Sequence, residues 1–235
     1  MTTCRRCILP WLCCWLLGGR TAWLRGSPIA PAGQELTRIL DSMHVERLWL
    51  AGAQVNWRTG LPNGKVYAVP KGHTHCSAFA AAAAEKLGVY LLRPPQHSAT
   101  LLANAQQDWL RAAGTNDGWY AVRSALEAQQ LANAGELVLV TCKNPDPKLP
   151  GHVAIVRPSE KSDEKILAEG PQITQAGLHN FISISTKAGF KSHAGAFENH
   201  QLLYFAHKLS LPNAGLRIRI SGLPPDLPDL PVGLA

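Results

Sequence analysis

Two apolar, β-branched runs constrain this chain most: Leu137–Thr141 (LVLVT) and His152–Val156 (HVAIV). Both read as strands, because Val and Ile fit a pleated, buried surface. Between them lies a Pro/Asn/Asp-rich turn region, and Pro150-Gly151 and Pro158 bound the second run. A polar turn, 159–165, precedes a third strand expected within Ile166–Ala176, so that residues 172–175 lie beside His152. Phe181–Ser185 and Leu202–His207 continue the sheet, and Leu216–Ile220 alternates as a last edge strand.

Helical signals alternate with these strands, and the fold class expected is α+β. Leu36, Ile39, Leu40 and Met43 share one helical face in a lead-in helix over residues 33–44. Ser77–Leu87 is Ala-rich, with Gly88 as a stop. Further helical stretches are expected around 101–113 and 122–132. Residues 56–64 form a turn-rich approach to Cys76, and 222–235 is a Pro-rich tail without a period.

The formal charge of +7 raises the question of a nucleic-acid partner. Residues 1–32 hold Arg5, Arg6, Arg20 and Arg25 and no acid, which leaves 19 basic against 16 acidic residues elsewhere. No basic run remains, so nucleic acid is not an expected partner. The same 32 residues place Arg5-Arg6 ahead of a short apolar stretch too brief to span a bilayer, and Ala30-Pro31-Ala32 offers an A-x-A cleavage pattern. The expected organisation is an export signal (1–32), one domain (33–221) and the tail (222–235). The mature protein is then periplasmic or secreted, without stable membrane insertion.

Export changes the cysteine arithmetic. Cys4, Cys7, Cys13 and Cys14 leave with the signal, and Cys76 and Cys142 remain. Two cysteines in an oxidising compartment form a disulfide by default. Cys76, however, sits at the start of the Ala-rich helix, where free backbone N–H groups and the positive end of the macrodipole favour a thiolate. A nucleophile gains from that position and a structural cysteine does not. His152, opening its strand, is the candidate base, and Gln175 or Gln172 can orient its imidazole, with Gln175 preferred.

These residues resemble the NlpC-type and CHAP-type cysteine peptidases and amidases. The resemblance rests on the helix opening at Cys76-Ser77-Ala78-Phe79, then Gly135-Glu136-Leu137-Val138, then Gly151-His152-Val153-Ala154-Ile155-Val156, and spans about residues 45–207. It implies a papain-like core, with an N-terminal helix carrying the cysteine packed on an antiparallel sheet carrying the histidine. It further implies Cys76 as nucleophile, His152 as general base and a polar third residue, Gln175. Tyr67 falls roughly where a family tyrosine assists the oxyanion. The implied activity is cofactor-free hydrolysis of amide bonds, with peptidoglycan peptides as substrate. The chain departs from the pattern in having His75 where the family has Asp or Asn, and in a longer stretch between Cys76 and His152.

Three other readings stay open on the residues alone. One is a metal site from His73, His75 and Cys76, which lacks a second spaced ligand pair. Another is a non-catalytic wall-binding module with a Cys76–Cys142 disulfide. The last is a thiol acyltransferase using the same residues. His73, His193 and His207 are expected in ordinary packed or solvated roles.

Overall fold

The structure is a computed structural model that describes residues 26–68, 73–193 and 195–211. In chain order it contains α1 (Pro31–Asp41), β1 (Ala53–Val55), β2 (Pro62–Val66), α2 (Cys76–Lys86), α3 (Leu102–Ala112), β3 (Trp119–Val122), α4 (Ala125–Ala134) and β4 (Leu137–Cys142). There follow β5 (His152–Val156), α5 (Asp163–Glu169), β6 (Gln172–Gln175), β7 (Phe181–Ser185), α6 (Thr186–Gly189) and β8 (Leu203–His207). The class is α+β: β1 and β2 form a small hairpin, and the other strands form one antiparallel sheet in the order β3-β8-β4-β5-β6-β7.

Helices cover both faces of this sheet, and strand alternation sorts the core accordingly. Leu137, Leu139, Val153, Ile155 and Phe205 pack with Leu36 and Leu40 of α1, Phe79, Ala80 and Ala83 of α2, and Leu110 of α3. Val138, Val140, Ala154, Val156 and Ala206 pack on the other side with Ala128 and Ala132 of α4 and with Phe190. The central strands β4 and β5 are therefore buried at every position. Helix α2 is buried from Cys76 through Ala84, and its alanines let it be enclosed on all sides. At the far end of β5, Arg157 donates to both carboxylate oxygens of Asp41 (2.7 and 3.1 Å), tying α1 to the sheet.

Three expectations change. The third strand lies within the expected 166–176, at 172–175, but residues 163–169 before it form helix α5 and not a turn, because Ser162 caps it by accepting from the Lys165 N–H and Asp163 and Glu164 favour its first turn. The region expected to be helical from 122 begins instead with strand β3, and α4 starts only after the Ser124 cap. The boundary expected between 32 and 33 falls inside the first turn of α1. Residues 27–30 already belong to the domain: Asn133 of α4 donates to the Ser27 carbonyl (2.7 Å), and the Ala30 N–H donates to the Asn133 carbonyl (2.9 Å).

Residues 1–25 of the signal expected over 1–32, the strand at Leu216–Ile220 and the Pro-rich tail lie outside the described residues. Among the described residues no helix is long and apolar enough to cross a membrane.

Candidate active site

Cys76 is the first residue of α2, with His75 as its N-cap. The end of the helix meets β5, and the Cys76 sulfur faces the backbone N–H groups of Val153, Ser77 and Cys76 itself. Val153 directly follows His152, so the thiol on α2 meets β5 one residue along the strand from His152. Two effects oppose each other at the sulfur. Burial pushes the thiol above its ordinary value, and the three N–H groups pull it down without winning. The helix start alone predicts a depressed thiol, but only 5% of Cys76 is exposed, and desolvation of the anion outweighs the N–H groups.

His152 is also buried, at 6% exposure, and burial lowers its pKa despite the bond to Gln175, which raises it. The resting pair is therefore neutral thiol and neutral imidazole near pH 7. Among the described residues no hydrogen bond joins the two groups directly.

The imidazole has a defined orientation. Its Nε2–H donates to the Gln175 Oε1 at 3.0 Å. Gln175 Nε2 donates to the His179 carbonyl at 3.4 Å, which assigns the amide oxygen to the side facing the ring. The proton is thereby placed on Nε2, and Nδ1 carries the free lone pair. An edge contact from Phe190 (centroids 4.7 Å apart, 70°) and a near-parallel stack with His193 (5.4 Å, 17°) hold the ring's faces. Burial first, and then the His152 ring, push His193 down to about 4.

Gln175 is thus the glutamine that the structure brings to the imidazole. Gln172 does not reach the imidazole: its Nε2 donates to Ser183 Oγ at 2.9 Å, and its backbone N–H donates to the Gln129 Oε1. Tyr67 stacks on His73 with ring centroids 3.5 Å apart. His75 Nε2 donates to the Ala53 carbonyl at 2.8 Å, pinning β1 beside the helix start. His73, His75 and Cys76 thus each face different partners, and among the described residues no three His, Cys, Asp or Glu side chains converge as a metal-holding group.

Cys142 opposes His152 in the β4–β5 register. Cys76 and Cys142 are both free thiols, and they belong to the separate cores on the two faces of the sheet. Glu136, of the Gly-Glu-Leu-Val stretch, accepts from the Tyr120 hydroxyl across to β3.

Two neighbours of the site were not singled out from sequence for this place. His193 was expected to be solvated or packed generally, and it packs on His152 itself. Gly189 carried no expectation, yet a Cβ there would lie 2.6 Å from the Gln175 Oε1. Neither residue has a local sequence signal, because both reach the site through the tertiary return of the chain after β7.

A scan against models of known protein families finds no match, and neither does a search of curated proteins.

Proposed function

We propose that this chain is an exported, papain-like cysteine hydrolase that cleaves amide bonds in the peptide part of peptidoglycan. The observation that carries the reading is the His152–Gln175 hydrogen bond at 3.0 Å, in a buried setting one residue from the N–H that the Cys76 sulfur faces. The order Cys76, His152, Gln175 along helix start, strand start and neighbouring strand supports the papain-like assignment.

In the proposed cycle His152 Nδ1 takes the Cys76 proton as the substrate carbonyl arrives, and the thiolate attacks the carbonyl carbon. The neutral resting pair suits this general-base route, since neither group must first lose an ionic partner. The Cys76 backbone N–H at the start of α2 faces the developing oxyanion, and one such donor contributes about 10²–10³ in rate. The imidazolium, stabilised by the Gln175 oxygen, then protonates the leaving amine. Water, activated by the same imidazole, releases the acyl group from sulfur. No step calls on a metal or an organic cofactor.

The burial of Cys76 favours a second reading, a binding module whose thiol does no chemistry. Its disulfide form requires Cys76 to bond Cys142, and both are free thiols in the structure. Incubation of the purified protein with peptidoglycan, with fragments identified by mass, separates the readings. The hydrolase releases fragments cut at one defined amide, and Cys76→Ser releases none. Unchanged peptidoglycan bound to the wild-type protein favours the module. A thiol acyltransferase transfers the acyl group to an added amine in preference to water, which the same mass analysis detects.

A further inference from the structure

Helix α3 lies in the long stretch between Cys76 and His152, and its polar residues point two ways. Asn104, 6% exposed, donates from Nδ2 to the Leu149 carbonyl (2.9 Å) and accepts at Oδ1 from the Asn144 N–H (3.1 Å). It thereby holds both arms of the loop that joins β4 to His152. The loop's last residue, Gly151, runs so close that a Cβ there would lie 2.5 Å from the Asn104 Oδ1. Asp108, one turn further on the same helical face, pairs with Lys143 at 2.6 Å, at the other end of that loop.

Gln106 faces elsewhere. Two residues from Asn104, it is rotated by about 200° around the helix. Fully buried, it donates from Nε2 to the Ser77 carbonyl and to the Leu92 carbonyl, both at 3.0 Å. Ser77 directly follows Cys76. One rigid helix therefore grips the residue after the candidate nucleophile with one side and the loop entering the candidate base with the other.

We propose that α3 sets the separation of the Cys76 thiol and the His152 imidazole, with Gln106 and Asn104 as positioning residues. The inference rests on the Cys76–His152 reading and adds the device that keeps the pair in register. The two groups arise from different elements, α2 and β5, and no direct bond joins them at rest. Direct packing of α2 on β5 sets part of their spacing, and the ties from α2 to the loop before β5 fix where that loop delivers His152. Displacement of a reacting group by about 1 Å costs on the order of 10²-fold in rate.

The test uses the full chain carrying Cys142→Ser, with alkylation at Cys76 followed by peptide mapping so that Cys4, Cys7, Cys13 and Cys14 do not contribute to the readout. Iodoacetamide alkylation of Cys76 is followed from pH 5 to 10, alongside kcat and KM on soluble muropeptides. His152→Ala defines the profile of a thiol without its partner. Gln106→Met and Asn104→Ala are expected to move the alkylation profile toward that of His152→Ala. They are expected to lower kcat by about 10-fold or more with KM nearly unchanged. Asn133→Ala is the control, since it breaks a buried amide network on α4 and lowers stability without touching either tie. It should keep the wild-type profile.

Gln106→Met and Asn104→Ala behaving as Asn133→Ala does would overturn the proposal. Where Gln106→Met does not fold, Asp108→Ala carries the test, because its side chain is half exposed. A shift in the same direction sustains the clamp, and an unchanged profile overturns it. A wild-type profile insensitive to His152→Ala removes the pair itself, and the clamp with it.

Discussion

Gly189→Ala should damage the site from a residue that contributes no side chain to it. Gly189 does not have the left-handed φ that would make alanine strained there, so the effect must come from contact alone. The new Cβ would lie 2.6 Å from the Gln175 Oε1 and 2.6 Å from the Ile173 Cδ1. An ordinary contact begins near 3.4 Å, so the amide oxygen must retreat by about 0.8 Å. Directed along its bond to His152, that retreat stretches 3.0 Å to about 3.8 Å, beyond hydrogen-bonding range. The side chain is flexible and gives way cheaply, and the expected outcome of that movement is loss of the bond.

Two effects set the stability cost of this substitution. A buried N–H left without its acceptor costs about 1–3 kcal/mol, and the loss of glycine's chain freedom returns roughly 0.4–1 kcal/mol. A net loss of about 1–2 kcal/mol lowers Tm by a few degrees in a domain of this size. The effect on activity should be larger than on stability, because the Nε2–H tautomer is no longer enforced and Nδ1 is less often the free base. A fall in kcat of about 10-fold corresponds to only 1.36 kcal/mol of barrier. The pH profile gives the sharper signature. The Gln175 bond raises the His152 pKa against burial, which lowers it. Losing the bond should move the acid limb of kcat/KM to lower pH, as Gln175→Ala should. Thermal melting and a pH–rate series on muropeptides provide the assay. Wild-type kcat with an unmoved acid limb in Gly189→Ala would refute the claim that Gln175 sets the imidazole.

Three further outcomes are expected. Because burial holds the Cys76 thiol above its ordinary value, alkylation should be slow at pH 7 and still accelerating above pH 9; a plateau reached by pH 7 contradicts this. His75, His152 and His193 all have folded pKa values below the unfolded one, His193 at about 4. Their contribution is therefore intact above about pH 6.5 and lost as pH falls toward 4. The urea midpoint should drop over that window, and a constant or rising midpoint counts against it. Residues 27–30 are hydrogen-bonded to Asn133, so a chain beginning at residue 33 should be less stable than one beginning at 26, by on the order of 1–3 kcal/mol. Equal melting curves would show that segment to be dispensable.

How much of this was legible in the sequence differs by element. His152–Val156 and Phe181–Ser185 have the bounds expected of them, since each is a short β-branched run between turn residues. Strand β3 was hidden because Trp119-Tyr120-Ala121-Val122 leads straight into a helical stretch, and only its pairing with β8 makes it a strand. Helix α5 carries local signals, Ser162 followed by two acids, but the same polar composition also fits a turn. At the site, helix start and strand start are written in local pattern, and so is the odd spacing that separates Gln172 from Gln175. The direction of the Cys76 shift is not, because desolvation depends on what α2 packs against. Gly189, His193, Asn104 and Gln106 act through contacts between segments far apart in the chain, which no single window contains.

Acid-quenched intact-mass analysis of the protein during turnover of muropeptides, followed by peptide mapping, tests the central claim most directly. A thioester through Cys76 should accumulate transiently in the wild-type protein, carry the mass of the acyl portion released later by water, and be absent from Cys76→Ser. Muropeptide cleavage without an adduct on Cys76, or cleavage retained in Cys76→Ser, would contradict the assignment of Cys76 as the nucleophile.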